Sequence, residues 1–340
     1  KEAWGKLPAF LYGWAFLLVI QTGALAAVAT AFAKFAGILL PSITTNVICT
    51  LPIINIGITP LKLVAVGVIL FLTWINQFGI KQGALLNNIF TVIKISSLLG
   101  LITLGISFGQ GAPFPTQHPI SNPIIFPDNL GQLTQFIVLI FPAICVGPLF
   151  SADAWNNVTF LGDEVKEPEK LIPKAMLLGT SLVMILYFLA NIAYLNLLPF
   201  CAIQNPPNDR VGTLAIQQVL GNNGAIAMAV AIMISTFGCV NAMIIAGARV
   251  IYAMAKDGLF FKTFEQIDSK SHSPNHSLWG QGLWACVLAL SGSYLDLLDF
   301  IIFSALIFYI ITVLGVYRLQ PKVVLSRWYH KLLPAVYAII

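Results

Sequence analysis

Long stretches of the chain carry no Asp, Glu, Lys or Arg. Within them apolar residues run on without the alternation of a half-buried strand or the single stripe of a surface helix. A bilayer's hydrocarbon needs about 20 apolar residues wound as a helix, so these stretches predict membrane-spanning helices. Eight are predicted, near Leu7–Ala33, Leu61–Ile75, Leu85–Phe108, Gln132–Phe160, Lys174–Leu198, Ala225–Ala255, Leu278–Ser291 and Leu297–Leu319. A ninth begins at Pro334 and runs to Ile340. The segment Phe35–Pro60 is also uncharged, but Pro41, Pro52, Pro60 and the run Ser42-Ile43-Thr44-Thr45-Asn46 interrupt it, which predicts a long loop or a partly inserted hairpin.

Composition turns this pattern into a class. Charged residues are 9% of the 340, where a soluble domain carries about 25%. Apolar residues are 58% and the mean hydropathy is +0.87, more apolar surface than one core could bury. A soluble enzyme and a nucleic-acid binder are excluded, and an all-α polytopic membrane protein in contact with lipid is expected. The net charge of +5 therefore reports topology. Alternating crossings put thirteen of the 18 Lys and Arg on one side, against Lys34, Lys62 and Arg210 on the other, with Lys94 and Arg249 inside spans. That bias makes the thirteen-residue side, which includes the N-terminus, cytoplasmic. Five cysteines without metal-ligand spacing predict free thiols, with no metal centre and no cofactor. The four histidines, His118, His272, His276 and His330, are expected in loops, so no nucleophile and base meet at depth as a membrane enzyme would require. The chain opens on Lys1 and shows no cleavable leader, so a piece of a longer protein is expected.

Three spans are interrupted by groups that lipid does not tolerate. The fourth reads Phe150-Ser151-Ala152-Asp153-Ala154-Trp155-Asn156-Asn157-Val158-Thr159, with Pro142, Gly147 and Pro148 just before. Such polarity beside helix breakers predicts a helix unwound near Ser151–Trp155 and facing protein or a cavity; a kinked helix with Asp153 as N-cap is the simpler alternative. The third span carries Lys94 near its middle, after Asn87, Asn88 and Thr91. Its ammonium must find oxygens on other helices or shed its proton, unless it lies near the interface as a snorkelling anchor. The sixth contains Ser235-Thr236-Phe237-Gly238-Cys239-Val240-Asn241, where Ser235, Thr236 and Asn241 offer oxygens to a cation, while close packing alone accounts for Gly238.

Together these motifs resemble the amino acid-polyamine-organocation superfamily, and within it the L-type amino acid transporter branch. Glu2-Ala3-Trp4-Gly5-Lys6 through Trp14 resembles the start of that family's third span. Asn76-Gln77-Phe78-Gly79-Ile80-Lys81, with Asn88, Phe90-Thr91 and Lys94, resembles its fourth-to-fifth connection. The most specific piece is Asp153-Ala154-Trp155-Asn156-Asn157 leading to Glu164-Val165-Lys166-Glu167-Pro168-Glu169-Lys170-Leu171-Ile172-Pro173-Lys174-Ala175, which is similar to the broken sixth span and the loop after it. Arg249, Tyr252-Ala253-Met254-Ala255 and Asp257-Gly258 resemble the end of the eighth.

The resemblance implies a LeuT-like fold of two inverted five-helix repeats in a single permease domain over 1–340. Residues 7–108 would be the last three helices of the first repeat, 132–319 the second repeat and 334–340 the start of a further span, with the first two helices absent. It implies an amino acid substrate held at Phe150, Ser151, Ala152, Asp153, Trp155 and Asn156, with Phe150 as an aromatic gate. Lys94 would stand where sodium-coupled relatives hold an ion, facing Ser235 and Thr236, so transport is expected to be sodium-independent and proton-coupled or exchanging. Departures fall at Ala152, where an aromatic is common, at Ala154 and Ala242, where Gly is common, and at Glu167, where Asn is usual. Asp153 keeps a cationic amino acid or polyamine open as substrate, and a channel or structural subunit is the reading of another class. A heavy-chain partner through Cys49, in the corresponding outer loop, is also implied.

Overall fold

The computed structural model describes residues 1–51, 56–109, 131, 134, 136, 141–207, 210–291, 294–319, 332 and 334–336. Gln132, where the fourth span was expected to begin, His118, His330 and the last four residues of the ninth span lie outside them. The described chain is helical apart from one small hairpin. In order come α1 (Lys6–Ala15), a π-helical turn (Phe16–Ile20), α2 (Gln21–Leu39), strands β1 (Cys49–Leu51) and β2 (Ile56–Ile58), α3 (Pro60–Asn76) and α4 (Ile80–Phe108). Then follow α5 (Phe141–Ser151), a 3-10 helix (Trp155–Glu164), α6 (Pro168–Leu197), α7 (Phe200–Gln204), α8 (Val211–Lys256), α9 (Asn275–Ser291) and α10 (Tyr294–Arg318).

Five helical stretches among the described residues are long and apolar enough to cross a bilayer: Lys6–Leu39, Asn88–Phe108, Pro168–Leu197, Val211–Lys256 and Leu298–Arg318. The chain is a multi-pass, all-α membrane protein. α3 and α9 are shorter, at 17 residues each, and follow the second and seventh predicted spans closely. The first helix outruns its predicted end at Ala33 because Ala36-Gly37-Ile38-Leu39 stays apolar and nothing stops it before Leu40, the residue restricted by Pro41. The region expected as a loop or hairpin is thus helix to Leu39, then turns, then β1 and β2 paired antiparallel. α8 starts at Val211 rather than Ala225. Its first turns are set off by Gly221, whose φ of 65° and ψ of −156° break the helix before the predicted span. His276 sits in the first turn of α9 rather than in a loop.

The chain divides into two compact units. Unit 1 comprises 1–30, 47–83 and 240–340. Its core of Leu25, Ile69, Leu72, Ile244, Ile251 and Ile301 is fully buried. α3 runs close along α9, where a side chain on Gly282 would come within 2.7 Å of Thr73 Oγ1. Asn76 Nδ2 donates to the Asn241 Oδ1 at 2.7 Å, an interhelical bond of the kind that joins helices where water is excluded. At the far end Lys62 Nζ donates to the carbonyls of Gly57 (3.0 Å) and Leu290 (2.7 Å), tying the hairpin to the end of α9.

Unit 2 comprises 31–46 and 84–239. Leu101, Ile102, Leu186, Ala190, Leu198, Ala215 and Ile216 form its core. Gly105 brings α4 against α6, with Ala193 Cα 2.8 Å from where a side chain would begin. The other side of α6 leaves Leu177, Leu178, Met184 and Phe188 exposed, an apolar face suited to lipid rather than water.

Candidate functional site

The candidate site is built where α5 stops. Pro148 lies inside α5, and the ladder tightens after it. Ala152 N–H donates to Pro148 and Leu149 carbonyls at 3.2 Å, and Asp153 N–H to the Phe150 carbonyl at 3.2 Å. Ser151 Oγ folds back to the Pro148 carbonyl at 2.7 Å. Ala154 then takes the left-handed conformation, φ 65° and ψ 9°, and the chain continues as a 3-10 helix from Trp155. The helix is therefore broken between Ser151 and Trp155, the stretch that the polar cluster and its breakers mark in the sequence. An α-helix ended in this way leaves carbonyls without intrahelical partners.

One of them has an outside donor. Tyr187, on α6, donates its hydroxyl to the Ser151 carbonyl at 3.0 Å. Phe150 and Asn156, on either side of the break, and Asp153 within it are half-buried, while Ser151, Ala152 and Trp155 are exposed.

Lys94 is half-buried on α4, and its ammonium donates to Cys239 Sγ on α8 at 3.0 Å. Cys239 lies one turn beyond Ser235 and Thr236 on the same helix. The Thr236 hydroxyl is turned onto its own backbone, at 2.9 Å from the Ile232 carbonyl and 3.0 Å from that of Met233. Gly238 explains the approach of α4 and α8. A side chain there would begin 2.7 Å from Phe90 Cβ, and Phe90 precedes Lys94 by one turn, so the absent side chain lets the thiol reach the ammonium. The break with Tyr187, and Lys94 with Cys239, all lie within unit 2.

The sequence marks the break, Lys94 and the Ser235–Asn241 run. It missed Tyr187, which lies in the apolar stretch Met184-Ile185-Leu186-Tyr187-Phe188 and whose only signal is a phenol where a lipid-facing helix needs none. It also read Cys239 as an unengaged thiol.

These features define a polytopic helical membrane protein whose candidate site is a discontinuous helix, its Ser151 carbonyl held by the Tyr187 hydroxyl of α6. The sequence profile of the amino acid permease family matches residues 1–340, and the chain belongs to that family. It is 26% identical to the b(0,+)-type amino acid transporter 1 of Mus musculus, over 92% of this chain and 60% of that protein. It is 26% identical to the serine/threonine exchanger SteT of Bacillus subtilis (strain 168), over 95% and 67%. The cystine/glutamate transporter of Homo sapiens is also 26% identical, over 94% and 60%. The chain thus spans about three fifths of the length of the first of these relatives.

Proposed function

We propose that this chain is the core of a secondary transporter that moves amino acids across the cell membrane by alternating access, without sodium, as an exchanger or coupled to protons. The observation that carries this reading is the break at Ser151–Trp155. Backbone groups freed from a helix within an apolar protein are suited to the polar ends of an amino acid. Phe150, Ser151, Ala152, Asp153, Trp155 and Asn156 are its substrate-binding residues, with Phe150 closing over the ligand. Lys94 supplies a positive charge beside α8, with Ser235 and Thr236 a turn away. An ammonium there opposes a second cation. At an effective dielectric of 20, two unit charges about 4 Å apart repel by about 4 kcal/mol. In this reading 7–108 and 132–319 belong to two inverted repeats, the N-terminus of the chain is cytoplasmic, and the exposed Cys49 thiol is where a heavy-chain partner would attach through a disulfide.

The test is uptake into proteoliposomes holding the full-length protein, with labelled neutral, anionic and cationic amino acids supplied in turn. Uptake of at least one, stimulated by unlabelled amino acid inside or by a proton gradient and unchanged when choline replaces sodium, is expected. Uptake of none of the three classes, or its loss on removing sodium at fixed pH, contradicts the proposal.

A further inference from the structure

Within unit 1 two buried glutamines reach α8 from different helices. Gln21, the first residue of α2, is 3% exposed, and Gln281, in the middle of α9, is 0% exposed. Gln21 Nε2 donates to the Met243 carbonyl at 2.7 Å, and Gln281 Nε2 donates to the next carbonyl along, that of Ile244. A carbonyl only accepts, so each amide must turn its nitrogen toward α8 and neither can be flipped to suit another neighbour. That orientation fixes the Gln281 Oε1, and no hydrogen-bond donor among the described residues reaches it. A buried amide oxygen in this position is ordinarily satisfied by ordered water when the protein offers no donor.

Gly247, a turn further along α8, is where the two amides come together. A methyl group placed on Gly247 would stand 3.0 Å from Gln21 Nε2, 2.7 Å from Gln21 Cγ and nearer still to Gln281 Oε1, so both side chains press against the glycine. Two atoms flanking one point so closely are no farther apart than two hydrogen bonds laid end to end, about 5.6 Å, yet they are not bonded to each other. Gln21 Nε2 has a second N–H beyond the one given to Met243. A donor and an acceptor therefore face one another across the bare face of a glycine.

We infer that an ordered water is bound between the two amides, beside Gly247, accepting from Gln21 Nε2 and donating to Gln281 Oε1. The N–H on one side disfavours a cation, which would want oxygens all round. One small molecule that both donates and accepts satisfies the two amides at once. This water joins α2, α8 and α9 and completes the hydrogen bonding of a clamp that holds two consecutive carbonyls of α8. It does not depend on the transport reading.

The direct test is an experimental map of the unmodified protein in lipid nanodiscs, at a resolution that shows ordered water. A density peak within hydrogen-bond distance of both amides is expected; amides bonded directly to each other, or no peak, would overturn the inference.

Discussion

Ala154 is the residue at which the broken helix is most directly open to perturbation. Its φ of 65° and ψ of 9° place an L-residue in the left-handed region, which costs roughly 1–2 kcal/mol relative to the right-handed one. Glycine escapes that cost but frees the unfolded chain, which returns about 0.4–1 kcal/mol. Ala154→Gly should therefore stabilise the protein by about 0.5–1 kcal/mol. Across 340 residues, an unfolding entropy of about 2.1 cal/mol/K per residue makes this roughly a 1 °C rise in Tm. Ala154→Val works in the opposite direction, since a β-branched side chain is strongly disfavoured at positive φ. Thermal unfolding of the three purified proteins, followed by the fluorescence of the adjoining Trp155, should give Tm in the order Gly, Ala, Val. If Ala proved the most stable and Val came second, residue 154 would be right-handed helix, and the break as described would be wrong.

Further outcomes follow from the same site and its surroundings. Tyr187→Phe removes the hydroxyl held by the Ser151 carbonyl; it should cost about 0.5–1.5 kcal/mol of stability and slow amino acid exchange, and unchanged values of both would detach Tyr187 from the site. Phe150→Ala should weaken substrate affinity in the full-length protein, measured as a rise in the KM of uptake, because the half-buried ring no longer covers one face of the ligand. Lys94→Ala should impair uptake whether the ammonium is a tether or a proton switch, and only for a switch should the wild-type rate follow an imposed proton gradient while the mutant's does not. Asp268, in the loop before α9, accepts from the N–H and hydroxyl of Ser271 and from the N–H of Lys270. The Ser271 bonds hold its carboxyl below the usual range. Its contribution is thus present above the ordinary carboxylate value of about 3.9 and is lost as pH falls through the depressed folded value. Proteolysis between Lys262 and His272 should therefore accelerate only in that acidic window, and Asp268→Ala should show the acceleration already at neutral pH.

What was legible in the sequence and what was not divide along a physical line. A span is announced by the cost of exposing charge to lipid, a property of each residue alone. The long helices, and the break at Ser151–Trp155 where Pro148 and the polar residues Ser151, Asp153, Asn156, Asn157 and Thr159 crowd together, could be read from residue types in order. Boundaries were less legible. Ala36-Gly37-Ile38-Leu39 is as apolar before Pro41 as the helix it extends, and Val211–Leu220 gives no sign that its helix ends at Gly221 and resumes. Cys239 and Tyr187 were hidden for another reason: a thiol and a phenol are each at home in an apolar run, and their roles exist only because Gly238 lets α4 approach α8 and because a carbonyl 36 residues earlier in the chain is left open.

The glutamines carry this line one step further. Gln21 and Gln281 are uncharged, so the absence of charge that marks a span passes over them, yet each is among the most deeply buried side chains of unit 1. An uncharged amide costs less to carry through hydrocarbon than a carboxylate or ammonium, but once buried it must still satisfy both its oxygen and its nitrogen. Charge therefore records which segments enter the membrane, whereas buried amides record which helices are bonded to one another inside it. In this chain the second kind of information sits at Asn76, Asn241, Gln21 and Gln281. These residues join α2, α3, α8 and α9 through side chains and carbonyls rather than through apolar packing alone. Lipid tails drive no hydrophobic association between helices, so such bonds have greater weight in fixing neighbours and register here than the same residues would on a soluble surface.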